Sequence, residues 1–350
     1  MFPTMLRPTF ARKSQGRMAR LLSSYSYGRV RTGSEDLDVP RPQSTDKGIL
    51  RVVVFVARVA GAISLLVFAS IALAWWHLFS VDVGDWTAVS ENGRGREKTF
   101  TVRMNTWRRN DLLKRSAEHF ASCDCVDHIQ IVWSDQEYSP PPLTFFNIEA
   151  RQKIEFEVHD TNSLNHRFNV TSSLPTGGVF STDDDLQIPC RDLQFAFETW
   201  QSSPHTMVGF SPRMVTRDPR TERYSYRSWR VVRWNGVYNV ILTKCCFLHR
   251  DHLTAYVKGV PSEVMDYIDQ QRNCEDLAMA VVVAKHFGTP PLWVKGSFKE
   301  IGQEGISAIP SHFEERGRCV DFFAQHFDGM PLIQSSAKVY PMHTGVLSWL

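Results

Sequence analysis

Three consecutive carboxylates, Asp183 to Asp185, follow the short apolar run Val179-Phe180. Like charges this close repel one another, and a bound cation relieves the repulsion. Hard divalent cations such as Mg²⁺ and Mn²⁺ prefer carboxylate oxygen and complete their shell with water and substrate phosphates. The run is therefore a candidate platform for a metal-bound diphosphate. A short acidic run is also typical of a solvated turn, and the triplet alone leaves that interpretation open.

A second acidic pair, Glu275 and Asp276, opens a predicted apolar helix that extends to about His286. The structural interpretation is that Asn273 caps the helix and that the two carboxylates complement its dipole. A functional role would need one of these two carboxylates to face the candidate metal site at the acidic triplet. The spacing of the residues does not decide between these interpretations.

The elements before the triplet predict where it lies. Apolar alternation and helical spacing predict a strand, a helix and two further strands, over residues 100–104, 111–121, 128–133 and 153–158. A strand, a helix and a strand in this order indicate a right-handed crossover and a parallel sheet. Ligands bind beyond the carboxyl ends of such strands. The loops after Met104, Trp133, Val158 and Phe180 should therefore share one edge with the triplet.

The chain beyond the triplet continues as one α/β domain. The patterns predict a helix, a strand, a long Arg-rich loop, an apolar strand and the helix of the second acidic pair, over residues 191–200, 206–210, 211–236, 238–248 and 275–286. The chain shows no internal repeat. We place the single domain at residues 98–345.

The N-terminal part has the composition of a tail and a membrane anchor. Residues 1–58 carry eleven Arg or Lys against four Asp or Glu, although the whole chain has a net charge of only +3. The stretch from Val59 to Trp76 has no charged residue and is long enough to cross a bilayer. The basic excess before it places the N-terminus in the cytosol. We therefore predict a disordered tail (1–50), a signal-anchor helix (51–79), a stem (80–97) and a lumenal body.

Other interpretations of this segment fit less well. A transit peptide would be poor in acid, whereas this tail contains Glu35, Asp36 and Asp38. A cleaved signal peptide would begin earlier and end at a small-residue cleavage site. A buried core helix is the remaining alternative.

Two features agree with a lumenal body. Asn169-Val170-Thr171 is an acceptor sequence for N-glycosylation at Asn169. Five of the seven cysteines lie in the second half of the chain, where an oxidising compartment would allow pairing. Cys123, Cys125, Cys245 and Cys246 have no His partners at zinc spacing, so they are structural or free. The small net charge and this compartment argue against a nucleic-acid partner.

Taken in order, several motifs of the chain resemble the exostosin-like family of glycosyltransferases. The motifs are Met104-Asn105-Thr106, Arg109-Asn110-Asp111-Leu112-Leu113, Ile131-Val132-Trp133, Asn162 with Arg167, Asp183-Asp184-Asp185, and Asn273-Cys274-Glu275-Asp276-Leu277-Ala278-Met279. The resemblance covers residues 98–335. It implies a GT-A fold, with a Rossmann-like mixed sheet flanked by helices, and a nucleotide-sugar donor, Mn²⁺ and retention of anomeric configuration.

The resemblance also implies roles for individual residues. Asp185 would be the direct metal ligand, and Glu275 and Asp276 would act at the sugar. Cys274 and Cys319 would form a disulfide. Contacts to the nucleotide, the diphosphate or its metal would come from Asn105, Arg109, Asn162, Arg167, Asp183, Asp184 and Arg316. Mn²⁺ and Arg316 would stabilise the charge on the leaving diphosphate, and a carboxylate would support an oxocarbenium-like state.

A short single domain with one anchor resembles the plant members that elongate glycosyl inositol phosphorylceramides. That comparison implies a Golgi mannosyltransferase that uses GDP-mannose and acts on a sphingolipid headgroup. The Arg-rich stretch 213–234 is either a solvated lid or an acceptor groove in which Arg227 and Arg230 meet an anionic group. Three alternatives stay open: a UDP-N-acetylhexosamine donor, an inactive lectin-like or scaffold protein, and a phosphodiesterase. The phosphodiesterase would need ligands for two metals, and the sequence shows none at suitable spacing.

Overall fold

The structure, a computed structural model, describes residues 46–79, 97–302 and 312–341. In its N-terminal unit a helix, α1, runs from Asp46 to Phe79. Its stretch Arg51–Leu73 has a mean hydropathy of 2.5, and none of it is buried within the chain. An apolar helix of this length fits a single membrane anchor. The helix begins before the predicted start at residue 51, and the rest of the predicted tail and nearly all of the stem lie outside the described residues.

The second unit is a mixed α/β structure. Its strands are β1 Phe100–Thr106, β2 Val126–Trp133, β3 Ile154–Val158, β4 Gly178–Asp183, β5 Leu186–Gln187, β6 Val208–Gly209, β7 Pro212–Arg217, β8 Tyr224–Arg227, β9 Val240–Ile241, β10 Cys245–His249, β11 Leu292–Val294, β12 Lys299–Glu300 and β13 Lys338–Val339. Its helices are α2 Asn110–Ala121, α3 Ile148–Lys153, α4 Cys190–Gln201, α5 Trp229–Asn235, α6 Arg250–Gly259, α7 Ser262–Gln271, α8 Glu275–Phe287 and α9 His312–His326. Short 3-10 turns cover Leu143–Phe145 and Leu164–Arg167.

The main sheet has the strand order β13-β11-β6-β10-β4-β1-β2-β3. Strands β4, β1, β2 and β3 are parallel, whereas β10 runs antiparallel to both β4 and β6. The expected parallel arrangement of the first strands is therefore confirmed, and the complete sheet is mixed. Strand β4 lies near the middle of the sheet, so its carboxyl end is supported on both sides.

Helices cover both faces of the sheet because alternate strand residues point to opposite faces. Val179 belongs to one apolar core and its neighbour Phe180 to the other. The Phe180 side also contains residues of α2 and α4, and the Val179 side contains residues of α6 to α9. Helix α8 is buried along ten consecutive residues, from Glu275 to Ala284. Packing on all sides therefore restrains this helix, including its first turn.

Two expectations about the middle of the chain are wrong. The predicted loop 211–236 contains the β7–β8 hairpin and α5. Its Arg residues concealed the alternation, because only Val215 and Tyr226 of the paired positions are buried. The predicted single strand over 238–248 is divided into β9 and β10 by a turn at Thr243-Lys244. The turn lets β9 pair with β7 while β10 joins the main sheet.

Candidate active site

The carboxyl ends of β1 and β4 meet at one edge of the sheet, as predicted. Asn105 lies opposite Asp183 in the parallel register, and the Asp184 amide donates to the Asn105 carbonyl at 3.1 Å. The Asn105 side-chain oxygen is buried and has no hydrogen-bond partner among the described residues. Burying an unpaired polar atom is costly. This oxygen therefore points to a ligand position beside the acidic triplet.

The three carboxylates of the triplet have different surroundings. The Asp184 side chain is fully buried and accepts hydrogen bonds from Arg109 and from the Thr106 hydroxyl, the latter at 2.7 Å. Burial raises the pKa of Asp184 to about 7, although Arg109 opposes the shift. Asp183 and Asp185 keep 28% and 21% of their side-chain surface exposed. Only these two carboxylates of the triplet can present oxygens to a ligand at the open edge.

The donor set at this edge fits a hard divalent cation. Arg109 pairs with Asp184 and also contacts Asp185 at 3.0 Å, so two carboxylates share one positive charge. Burial and the Asp183 charge raise the pKa of Asp185. A bound cation would relieve the repulsion between these two carboxylates. The free acceptor atoms are carboxylate and amide oxygens, the ligand type of Mg²⁺ and Mn²⁺.

Arg167 links the triplet to the second acidic pair. Its buried guanidinium pairs with Asp183 and lies 3.4 Å from a Glu275 oxygen. Burial works against the ionisation of Asp183, but the Arg167 charge outweighs it and lowers the pKa of Asp183. One side chain therefore connects the end of β4 to the start of α8. The functional interpretation of Glu275 and Asp276 required this proximity, and the sequence could not supply it.

The second acidic pair lies in the first turn of α8. Glu275 and Asp276 are both buried, with 9% and 5% exposure. Burial, with the neighbouring Asp276 charge, raises the pKa of Glu275 to about 7, against the opposing effect of Arg167. The predicted Asn273 cap is wrong: the N-cap is Cys274, which has a left-handed φ of 79° and makes no side-chain capping bond. Its disulfide to Cys319, which the resemblance implied, joins this turn to α9.

Arg316 lies on α9 and is almost fully buried. It donates to Asp276 at 2.6 Å, to the Tyr226 hydroxyl at 2.8 Å and to the Asn273 side-chain oxygen at 3.2 Å. Burial opposes its charge, but Asp276 outweighs this and raises the pKa of Arg316. The expected contact with a diphosphate therefore stays a prediction, because in this structure the guanidinium holds Asp276 in place.

The two remaining predicted residues lie on the segment that carries Arg167. The Asn162 amide lies 2.8 Å from the guanidinium of Arg272, the residue just before Asn273. Asn169 is partly buried, and its backbone carbonyl accepts from Arg103 at 3.2 Å. Asn162 therefore lies near the segment that leads into α8. Glycosylation of Asn169 stays a prediction.

Comparison with known proteins places this arrangement in a family. The glycosyl transferase family 64 domain matches residues 100–343. The chain is a member of glycosyl transferase family 64. It is thus a glycosyltransferase, and the fold and family expected from its motifs are confirmed.

Several relatives agree with this assignment. Glycosylinositol phosphorylceramide mannosyl transferase 1 of Arabidopsis thaliana is 39% identical over 265 residues, which cover 72% of this chain and 79% of the relative. Exostosin-like 2 of Mus musculus is 29% identical, with 69% and 76% of the two chains covered. Glucosamine inositolphosphorylceramide transferase 1 of Oryza sativa subsp. japonica is 30% identical, over 67% of this chain but only 31% of the relative.

The structure of this glycosyltransferase adds site residues that the sequence analysis missed. Tyr226 reaches Arg316 from the β7–β8 hairpin, and Thr106 fixes Asp184 from the end of β1. Lys244 lies just before β10, whose first residue pairs with Thr182 of β4. The Lys244 charge helps to lower the pKa of Asp183. Tyr226 was visible as one of several aromatics among the Arg residues. A single Thr or Lys gives no signal in one sequence.

Proposed function

We propose that this glycosyltransferase moves mannose from GDP-mannose to the headgroup of a glycosyl inositol phosphorylceramide, with Mn²⁺ and with retention of configuration. The observation that carries the proposal is the contact of Arg167 with both Asp183 and Glu275. A nucleotide sugar needs positive charge at its diphosphate and a carboxylate near its anomeric carbon. Arg167 brings the two groups together. The donor and acceptor follow the name of the Arabidopsis relative.

The triplet and its neighbours would bind the nucleotide end of the donor. Mn²⁺, when bound, would stabilise the charge that develops on the departing nucleoside diphosphate. Asp185, with Asp183, would hold the ion, and Arg109 already lies within 3.0 Å of the Asp185 carboxylate. The unpaired Asn105 oxygen would accept a hydrogen bond from the nucleotide. Asn162, in the loop after β3, would provide a further contact to the nucleotide.

The pair on α8 would act at the sugar. Arg316 fixes Asp276 from one side, and Arg167 lies beside Glu275 on the other. The two guanidiniums keep the carboxylates apart and hold them near a position where positive charge develops on the sugar ring. A carboxylate on one face of the ring stabilises that charge. The acceptor hydroxyl would bond to the anomeric carbon as the bond to the diphosphate oxygen breaks, and the hydroxyl proton would pass to the departing diphosphate.

The β7–β8 hairpin and α5 would form the acceptor side. Tyr226 connects the hairpin to Arg316, and therefore to Asp276. On α5, Trp229 is 48% exposed and Trp234 is 91% exposed, and the helix also carries Arg230 and Arg233. Aromatic faces suit sugar rings, and guanidiniums suit a phosphodiester. An inositol phosphorylceramide headgroup presents both groups at a membrane, where α1 would tether the enzyme.

Donor profiling tests the proposal directly. The full-length protein in detergent would be incubated with Mn²⁺, a glycosyl inositol phosphorylceramide and a panel of nucleotide sugars. We expect transfer from GDP-mannose and a product that keeps the donor's anomeric configuration in its NMR spectrum. Asp185→Ala and Asp276→Asn should each remove transfer, whereas Asp124→Asn, an exposed change in the turn before β2, should not. Equal turnover by Asp185→Ala and wild type would exclude the metal-dependent mechanism. No transfer by the wild type from any donor in the panel would favour an inactive or scaffold role.

A second donor is favoured by one observation. The rice relative is named a glucosamine inositolphosphorylceramide transferase, so a related family member is named for an amino sugar. UDP-N-acetylhexosamine therefore belongs in the donor panel. Transfer from this donor with no transfer from GDP-mannose would overturn the mannosyl assignment and keep the rest of the proposal.

The proposed location is the Golgi membrane, with the catalytic unit in the lumen. It rests on the single apolar helix, on the basic residues before it and on the Asn169 acceptor sequence. Protease protection of the catalytic unit in sealed Golgi vesicles would support this orientation. A glycosidase-sensitive mass that disappears in Asn169→Gln would support glycosylation. Digestion of the catalytic unit in intact vesicles would indicate the opposite orientation, with this unit in the cytosol.

A further inference from the structure

A cluster of histidines lies at the edge of the sheet opposite to the acidic triplet. His249 ends β10 and pairs with Gly178, the first residue of β4, whereas Asp183 is the last residue of β4. Strands rise ~3.3 Å per residue, so the two ends of β4 lie roughly 17 Å apart. Asp251 is in the first turn of α6, and His205 comes from the loop between α4 and β6. The site proposed for the transfer reaction does not use these residues.

The three side chains bring possible ligand atoms close together. One ligand atom from each of His205, His249 and Asp251 lies within 4.8 Å of the others. The His249 Nδ1 and Asp251 Oδ2 atoms are 3.2 Å apart. Two ligands bound to a tetrahedral Zn²⁺ at ~2.0–2.1 Å are separated by roughly 3.3 Å. One edge of such a tetrahedron is therefore already formed, and the exposed His205 ring lies close enough to offer a third ligand.

A buried histidine supports both histidine ligands. His252 is fully buried, and its Nδ1 accepts from the His249 amide at 3.3 Å. Its Nε2 therefore carries the proton and donates to the His205 carbonyl at 3.1 Å, a carbonyl that also accepts from Thr289 at 2.8 Å. The backbones of two segments that are far apart in sequence are thus fixed together. Residues behind the ligands commonly orient a metal site in this way.

Aromatic side chains also fix the imidazole rings. The His205 ring stacks on Phe287 at 5.2 Å, with 13° between the planes. The His249 ring stacks on Trp200 at 6.1 Å, with 22° between the planes. The ligand atoms remain partly exposed, since the His249 side chain is 19% exposed and that of Asp251 is 56% exposed. An ion can enter from solvent, and water can complete its coordination.

We propose that His205, His249 and Asp251 form a second metal site, selective for Zn²⁺ or a similar borderline cation, that joins the loop before β6 to the start of α6. Two imidazole nitrogens and one carboxylate favour Zn²⁺ over Mn²⁺, which prefers oxygen ligands. The ion has a structural role because the site is at the opposite edge from Asp185.

Two features limit the affinity of this site. The start of a helix carries partial positive charge, which disfavours a cation, and the Asp251 carboxylate offsets this effect. His249 Nδ1 also accepts a hydrogen bond from the Asp251 amide at 3.1 Å, and the metal must replace this bond. A site with three protein ligands and these costs should bind Zn²⁺ with micromolar rather than nanomolar affinity.

Cobalt spectroscopy tests the proposal. Full-length protein carrying Asp185→Ala, purified in detergent through a tag without histidine and stripped with a chelator, would be titrated with Co²⁺. We expect one equivalent of tetrahedral Co²⁺, visible by its d–d absorption and displaced by Zn²⁺ but not by Mn²⁺. His205→Ala and Asp251→Asn should each weaken binding at least tenfold. His286→Ala, which removes an exposed histidine on α8, should leave binding unchanged.

A stability measurement provides the second readout. Zn²⁺ should raise the unfolding temperature of the parent protein and of His286→Ala, but not that of His205→Ala. The replaced side chains are partly exposed, so the variants should fold, and their far-UV circular dichroism would verify this. Parent protein without a tetrahedral Co²⁺ spectrum, or equal Co²⁺ affinity in parent and His205→Ala, would overturn the site. Neither outcome depends on glycosyl transfer, so the proposed function is tested separately.

Discussion

A buried ion pair holds the segment that carries Arg167, and its removal should affect both stability and donor binding. Arg103 is 1% exposed and pairs with Glu157 at 2.6 Å. The same guanidinium donates to the carbonyls of Arg167 and His166, each at 2.7 Å. Glu157 in turn accepts from the Thr171 amide at 3.2 Å. The ion pair between β1 and β3 therefore holds the backbone around Arg167, the residue expected to contact the donor.

The expected magnitude follows from burial. Breaking a buried ion pair by removing one partner costs ~3–5 kcal/mol, because the other charge is left buried and unpaired. In a domain of 150–250 residues each kcal/mol lowers the unfolding temperature by ~2–4 °C, so Glu157→Gln should lower it by ~6–20 °C. Glu155 on the same strand is the matched control. Its pair with His128 is exposed at the carboxylate end, so Glu155→Gln should cost ~0–1 kcal/mol.

Thermal unfolding in detergent and donor kinetics would measure the effects. Glu157→Gln should raise the donor KM at a temperature where the variant is folded, because Arg167 loses its backbone support. The double variant Arg103→Met/Glu157→Leu should be less destabilised than the sum of the two single changes. Equal unfolding temperatures for Glu157→Gln and Glu155→Gln, or additive single changes, would refute the reasoning.

The pH dependence gives an independent check of the same pair. Burial alone would raise the pKa of Glu157, but the hydrogen bond from His159 and the charge of Arg103 outweigh burial and lower the pKa to about 2. The unfolded chain takes up this proton near its ordinary pKa of 4.5. The stabilisation is therefore complete above pH 4.5 and is lost as the pH falls toward 2. The stability difference between wild type and Glu157→Gln should shrink over that range.

Three further predictions concern residues around the candidate site and its proposed acceptor side. Cys319→Ser should cost ~2–5 kcal/mol and lower kcat. Cys123→Ser, which opens the Cys123–Cys190 disulfide at the core that contains Phe180, should lower the unfolding temperature but not kcat. Tyr226→Phe should cost ~1 kcal/mol of stability and reduce kcat, because the hydroxyl no longer orients Arg316. Trp234→Ser should change stability by less than ~0.5 kcal/mol and raise the acceptor KM, which a lipid headgroup titration would detect.

Much of the fold could be predicted from the sequence because the spacing of apolar residues indicates where strands and helices form. Apolar patterns predicted β1 to β3, and the parallel order of these strands, with the apolar run Val179-Phe180, placed Asp183 at a shared edge. The uncharged run before the catalytic unit predicted a membrane helix. The hairpin at β7 and β8 was missed because its strands are buried at only a few positions among exposed Arg residues.

The candidate site was only partly predictable for a different reason. The motifs named Asp184 and Asp185 together, but the structure buries Asp184 against Thr106 and leaves Asp185 at the open edge. They also assigned Arg316 to a diphosphate, whereas the structure pairs it with Asp276. Side chains so far apart in the chain meet only when the helices and the sheet pack together. The burial of each side chain then determines which charges are paired and which face solvent.

The sequence by itself determined the long apolar helix near the N-terminus, the parallel order of the first strands and the family motifs, because local spacing and residue type encode each of them. Tertiary structure alone decided that Arg167 joins Asp183 to Glu275 and that His252 joins two distant segments. The physical reason is the difference in range. Periodicity acts over a few residues, whereas burial and ion pairing depend on every element that surrounds a side chain.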